Sequence, residues 1–393
     1  MKTAIIGGGA AGFFLAVNLK EMMPEMEVTI FERSRRVLAK VEISGGGRCN
    51  CTNSFEGVTD LSQVYPRGHR LLRRLFNVFD HRAAYAWFER HGVRLTTQDD
   101  HCVFPRSQDS HTIINCFLDE ARRHGVHIET NRRIVSIDEL HDYDFIAVTT
   151  GGSPRAEGLE WLRQMGHQID PPVPSLFTFT IADTNLRSLM GTVANHACCQ
   201  IPGTKLRSEG PLLITHWGMS GPAILKLSSH AARLLHDQQY HAPLSVNWTG
   251  LHEQEVLERL TVCMQQNAGK RVQNVSPFDL TQRLWNFLLD KSIETKAMNR
   301  WNELGKKDVN RLVNVLCNDT YQIIGRAAFK EEYVTCGGVS LKSINPNTME
   351  SRVRRGLFFA GEVLDIDGVT GGFNFQAAWT TAYVAAQSIA SNK

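Results

Sequence analysis

Lys2-Thr-Ala-Ile-Ile-Gly-Gly-Gly-Ala-Ala-Gly12 opens the chain and decides its fold. An apolar run suited to a buried strand leads into Gly7-x-Gly9-x-x-Gly12, and a helix is expected over 10–22. Each glycine meets a need of dinucleotide binding. Gly7 permits the tight turn, Gly9 lets the backbone approach a pyrophosphate, and Gly12 lets the helix pack closely on the strand. The helix N-terminus, with Ala10 and Ala11 in its first turn, offers free N–H groups to phosphates. A second strand, Val28-Thr-Ile-Phe31, ends in Glu32, followed by Arg33. Glu32 can accept hydrogen bonds from a ribose. This pattern alone leaves NAD, NADP and FAD open.

The chain has 393 residues, enough for two or three domains. It is 42% hydrophobic and 21% charged with a net charge of +3, an ordinary globular balance that does not by itself point to nucleic acid. No apolar stretch approaches the roughly 20 residues that span a bilayer, and the first strand runs straight into the glycine turn, unlike a signal peptide. A cytoplasmic location is therefore expected. The nine cysteines form no disulfide-like framework, and neither Cys49-x-Cys51 nor Cys198-Cys199 has partners at zinc-site spacing, so no metal is expected.

Helical patterns are expected near 70–79, 82–91 and from Asp109 or Ser110 to His124. Residues 126–129 and 133–137 read as strands, and Asp144-Phe-Ile-Ala-Val-Thr-Thr150 as a buried strand ending in Gly151-Gly152. Thr150 and Gly151 thus form a second point where backbone can approach a ligand. Pro171-Pro-Val-Pro174 marks a change to short strand-like segments at 176–181, 191–197, 211–215 and 244–248, then helical patterns at 253–265, 280–289 and 307–316. After Tyr333 an apolar strand, Gly356-Leu-Phe-Phe-Ala-Gly361, precedes a helix over 375–389. The expected organisation is a discontinuous nucleotide domain (1–183 and 333–393), a β-rich substrate-side domain (184–251 and 317–332) and a helical subdomain (252–316).

Three further segments carry chemistry. In Ser44-Gly-Gly-Gly-Arg-Cys-Asn-Cys-Thr-Asn53, Gly45, Gly46 and Gly47 expose backbone N–H groups, and Arg48 adds a permanent charge suited to a phosphate or an electron-rich ring edge. In Ala360-Gly-Glu-Val-Leu-Asp-Ile-Asp-Gly-Val-Thr-Gly-Gly-Phe-Asn-Phe-Gln376, a strand, Gly361 and Glu362 precede Gly371-Gly372 and a helix start at Phe373, Asn374 and Phe375. That helix start can stabilise the negative charge of a reduced flavin. Asp365 and Asp367 read as turn residues. In Thr215-His-Trp-Gly-Met-Ser-Gly-Pro222, Ser220 reads as an N-cap and His216 as a proton donor or acceptor near neutral pH, or equally as a structural histidine. Because two distant segments finish one site with the opening turn, the reading resolves toward FAD.

This ordered set, with Thr335-Cys-Gly-Gly-Val339, resembles the BaiN/aminoacetone-oxidase-like family of bacterial FAD-dependent flavoproteins over essentially the whole chain. The resemblance implies an α/β, glutathione-reductase-like FAD-binding domain of Rossmann type, interrupted by a β-barrel-like region and a helical subdomain. It places Gly7, Gly9, Ala11 and Gly12 at the pyrophosphate, Glu32 at the adenosine ribose, and Lys40 with 45–48 along the flavin. It brings the Val135 backbone to the adenine, and 361–362 and 371–375 to ribityl and flavin. The chain departs from the family at Lys40-Val-Glu-Ile43, at Cys51 and in a shortened loop after Gly152.

The expected activity is two-electron hydride transfer on a small organic molecule, by amine oxidation or reduction of an activated C=C bond. His216 is the first candidate for proton transfer and Cys49 the second. No second strand–GxGxxG–helix unit follows the first, so NAD(P)H docks transiently or oxygen accepts the electrons. The alternative is an FAD-binding protein with a sensing or macromolecule-binding role, RNA included. With no RNA-reading motif in the sequence, neither a nucleic-acid nor a membrane partner is expected.

Overall fold

A computed structural model describes residues 1–153, 155–327 and 334–392. Pro154 in the shortened loop, and the expected domain boundaries at 332 and 333, lie outside the described residues. The chain forms two compact units, Met1–Val173 with Val334–Lys393, and Pro174–Tyr333.

The first unit is built on five parallel strands in the order Leu357–Phe359, Phe145–Val148, Lys2–Ile6, Glu27–Phe31 and His127–Glu129. The apolar runs of the central strands reflect burial on both faces. The first strand has its successor on one side and Phe145–Val148 on the other, so the strand order reverses beside it. Ligands bind at such a switch point, outside the carboxyl ends of the strands. The turns at those ends hold Gly7, Thr149 to Gly151, and Gly361, three of the segments singled out in the sequence.

The helix Ala10–Met22 forms as the sequence predicts and packs against the last helix, Phe373–Ser391. Phe14 meets the rings of Trp87 and Trp379 at 4.6 and 5.1 Å in one aromatic core. A small antiparallel sheet of Thr52–Asn53, Cys102–Pro105 and Leu95–Thr97 carries the end of the glycine-rich loop. The proline-bearing strand Ile169–Ser175 pairs in a two-stranded sheet, where missing N–H donors are tolerated.

The second unit is a closed six-stranded barrel in the order Val193–Gln200, Arg207–Ile214, Gly218–Ser220, Phe179–Ile181, Asp319–Arg326 and Ala242–Asn247. Alternate residues such as Leu212, Ile214, Leu244, Val246, Tyr321 and Ile323 are buried, as period-two patterning requires. Helices Glu253–Gln266, Gln282–Ile293 and Lys306–Asn318 are inserted between the last two strands in sequence. Buried Asp319 joins them to the barrel: it pairs with Lys291 and accepts from Trp248 Nε1 at 3.0 Å and from the Tyr321 hydroxyl.

Several local expectations are corrected. Residues 133–137 form no strand, because Ser136-Ile-Asp-Glu139 is a capping box that starts the 3-10 turn Ile137–Leu140. Ser220 lies in a strand and accepts from the Thr178 hydroxyl at 2.8 Å. The N-cap of the following helix Pro222–His230 is Gly221, whose φ of +87° suits glycine. At the helix His111–Arg123, Asp109 accepts from the His111 N–H at 2.9 Å, while the Ser110 hydroxyl donates to the Glu42 carbonyl.

Removing one partner of a buried ion pair strands the other and its hydrogen-bond donors. Asp319→Ala is expected to cost about 3–5 kcal/mol, read as a lower urea midpoint.

Candidate cofactor site

The opening turn separates glycines required by the protein from one that is not. Gly7 has φ +118°, and a Cβ there would lie 2.4 Å from the Thr149 carbonyl oxygen. A Cβ on Gly12 would lie 2.0 Å from the Gly7 carbonyl oxygen. Gly9 has an ordinary φ of −96°, and a Cβ there would meet nothing within 4 Å. No protein atom accounts for glycine at this position. The open space is a cradle that a Cβ would fill, as close approach of a pyrophosphate requires. Ala11, beside it, is buried, and a Cβ on Gly361 would come within 2.9 Å of its methyl.

Glu32 sits at the tip of its strand. Its Oε2 accepts from the Gly8 N–H at 2.9 Å, and its Oε1 accepts from the Ser34 N–H at 2.9 Å and hydroxyl at 2.8 Å. These bonds fix the carboxylate beside the glycine turn and leave lone pairs for ribose hydroxyls. The side chain of Arg33 is exposed next to it. Val135 is exposed, and its N–H donates to Glu139 Oε1 at 2.9 Å, so of its backbone groups the carbonyl is the one left for an adenine.

Lys40 and Glu362 are 322 residues apart in sequence, yet Lys40 Nζ donates to Glu362 Oε2 at 3.0 Å. Glu362 Oε1 accepts from the Thr335 N–H at 2.8 Å. A Cβ on Gly152 would strike this carboxylate at 2.7 Å, whereas one on Gly151, at φ +74°, would meet nothing. Thr150 beside it is exposed, and Thr149 Oγ1 donates to the Gly7 carbonyl at 2.9 Å, tying the two turns together.

In the 44–53 loop, Gly45, Gly46 and Gly47 all have positive φ. Asn50 and Phe104 crowd the first, while the other two face open space. Arg48 is held over the Phe104 ring at 4.2 Å, with Nε donating to the Gly45 carbonyl at 3.1 Å. Asn53 Nδ2 donates to the Gly371 carbonyl at 2.9 Å and links this loop to the returning segment. There Gly372, φ +88°, caps the last helix, and a Cβ on it would lie 2.2 Å from the Thr52 carbonyl oxygen. Phe373 packs against Phe55 and Tyr65, Phe375 stacks on Trp379 at 5.5 Å, and the Asn374 amide bonds both ways to the Gly368 backbone. These side chains are occupied by the fold. What they offer a ligand is the backbone of a helix N-terminus.

Cys49 requires correction. Its thiol is fully buried, and burial pushes its pKa up to about 12 against a smaller opposing effect of Ser44. Such a thiol is not a nucleophile or a redox relay at neutral pH. Asp367 is likewise no ordinary turn residue, because it is fully buried and ion-paired with Arg67, a partner no sequence pattern marks. His216 belongs to the other unit. It lies exposed with Trp217 at the tip of the hairpin between Arg207–Ile214 and Gly218–Ser220, the two rings 4.7 Å apart.

A glycine turn at a topological switch point, an acid at the tip of the second strand and a return from the C-terminus define a dinucleotide-binding Rossmann protein. Residues 1–388 match the HI0933-like protein Rossmann domain, and the chain belongs to that family. It is 26% identical over 411 residues to the ribosomal RNA dihydrouridine synthase of Haemophilus influenzae, covering 98% of this chain and 97% of that protein. It is 26% identical over 423 residues to the enzyme of the same name from Escherichia coli, covering 99% and 98%. It is 24% identical over 419 residues to the 3-dehydro-bile acid delta(4,6)-reductase of Clostridium scindens, covering 99% of each.

Fold and family support an FAD-dependent oxidoreductase. The resemblance holds at this level and does not single out the BaiN or aminoacetone-oxidase type. The expectation of no nucleic-acid partner is overturned, because two relatives matched end to end act on ribosomal RNA. Among the described residues no helix is long and apolar enough to cross a membrane.

Three outcomes follow. Gly9→Ala should leave the stability of the flavin-free protein within about 0.5 kcal/mol yet weaken FAD binding about tenfold or more, read as bound flavin absorbance. Gly7→Ala should instead destabilise the fold itself. Cys49 should resist iodoacetamide in the native protein at pH 8 and react after unfolding, as mapped by peptide mass spectrometry.

Proposed function

We propose that the protein is an FAD-dependent reductase that saturates a C=C bond conjugated to a carbonyl group. One observation carries this reading: relatives that act on such different molecules share a single step. Dihydrouridine is uridine reduced at the ring bond conjugated to its carbonyl, and a delta(4,6)-reductase acting on a 3-dehydro bile acid reduces double bonds conjugated to the 3-oxo group. The fold is compatible with either substrate. We place a uridine of ribosomal RNA first, because two relatives matched over their full lengths bear that activity. Amine oxidation has no comparable support here.

The residues fit FAD. Gly7, Gly9, Ala10, Ala11 and Gly12 would receive the pyrophosphate, Glu32 with Arg33 and the Val135 backbone the adenosine, and Thr150, Gly151, Gly361 and Glu362 the ribityl chain. Lys40, Gly45 to Arg48 and the helix start at Gly371 to Phe375 would line the flavin. When bound, FAD supplies two-electron hydride exchange. The chain's own residues do the rest. The helix start and Arg48 bring positive potential to the ring, and the Lys40–Glu362 pair orients a carboxylate already held by Thr335. Saturating the bond takes a hydride at one carbon and a proton at the other. We assign the proton to the His216 imidazole. With no second dinucleotide motif in the chain, NAD(P)H would dock transiently as the reductant.

The test is anaerobic mixing of the flavin-loaded protein with NADH or NADPH, followed by substrate. Expected are bleaching of the flavin band and reoxidation by unmodified ribosomal RNA, with a mass gain of two hydrogens at a uridine. Reoxidation by a 3-oxo-4,6-diene steroid instead would keep the reaction and move the substrate. Bleaching with no reoxidation by either would overturn the reading. His216→Asn should retain flavin and bleaching while turnover falls about 100-fold, the scale of a lost general acid.

A further inference from the structure

Three helices of the first unit bring together a cluster that the cofactor site does not use. Glu21 lies in the last turn of Ala10–Met22, His91 is the C-cap of His81–Arg90, and Glu120 lies in the last turn of His111–Arg123. One ligand atom from each lies within 4.8 Å of the other two. Helical rise puts Glu21 about 18 Å from the glycine turn, so the cluster is separate from the cofactor.

The imidazole geometry is decisive. His91 Nδ1 lies 2.7 Å from the Trp87 carbonyl oxygen, which can only accept, so Nδ1 carries a proton. The ring is also stacked on the Trp87 indole at 3.9 Å and 23°, which fixes its plane. Nε2 then points at Glu21 Oε1, 2.7 Å away. A histidine whose one nitrogen donates to a backbone carbonyl while the other faces carboxylates is arranged as metal-bound histidines are.

Glu120 is 4% exposed, and its carboxylate meets Arg123 at 3.0 Å and His124 Nε2 at 3.6 Å. The C-terminal ends of the three helix dipoles add negative potential. One imidazole nitrogen and two carboxylates, from rigid elements, suit a borderline divalent cation with water in the remaining position.

We propose that Glu21, His91 and Glu120 bind a divalent cation of the zinc class, which joins the C-terminal ends of three helices within the cofactor domain. The flavin-loaded, chelator-treated protein would be titrated with Co2+ and then Zn2+. Expected is one equivalent of Co2+ with the visible bands of a nitrogen–oxygen site and no thiolate charge-transfer band, displacement by Zn2+, and a raised thermal midpoint. His91→Ala should weaken binding at least about 100-fold with flavin content unchanged. Should that variant fail to fold, Glu21→Gln, a third exposed, carries the same test. No Co2+ signal, a thiolate band, or a signal unchanged in these variants would overturn the proposal.

Discussion

The chain closes onto its own beginning, and the cofactor domain depends on that closure. The Gly361 N–H donates to Thr381 Oγ1 at 2.9 Å, which seats the last strand's end on the final helix. A side chain on Gly361 would collide with the Ala11 methyl in the first turn of the opening helix. This close approach lets the first and last helices pack together around Phe14 and Trp379. It also carries Glu362 to Lys40 and the start of the final helix to the 44–53 loop. A segment at the C-terminus thereby completes a site begun at the N-terminus.

Polar contacts hold that arrangement where apolar packing cannot specify it. Thr52 donates to Gln376, Gln376 donates to Thr380, and Thr380 donates to the Phe79 carbonyl, a buried chain in which each donor meets an acceptor. The buried Arg67–Asp367 pair pins the loop that precedes the last helix. Such networks are stabilising only when every member is satisfied, so they fix one register of the returning segment rather than several. Asp319 does the same in the other unit, joining Trp248, Tyr321 and Lys291.

The parts of the site legible in the sequence were those with a local cause. Gly7, Gly9, Gly12 and Glu32 sit at fixed spacings on one βαβ unit, so the pattern and the geometry are the same fact. Partners chosen across the chain were not legible. Nothing near Glu362 in sequence names Lys40, and Asp367 looked like a turn residue because its partner Arg67 lies 300 positions away. Cys49 stood in a motif that advertised chemistry, but its burial made it scaffold. The absence of zinc-like cysteine spacing gave no hint of Glu21, His91 and Glu120, which converge only because three helices end at one place.

By itself the sequence determined the Rossmann unit and its interruption by a β-rich stretch and helices, and it pointed to FAD. These follow from periodicity, glycine positions and the order of segments, all of which are properties of short stretches of chain. The tertiary structure decided which glycines answer to the protein and which to open space, which carboxylates are ion-paired, and which thiol is buried. Those depend on distance and solvent exclusion, and neither exists until segments hundreds of residues apart have packed against one another.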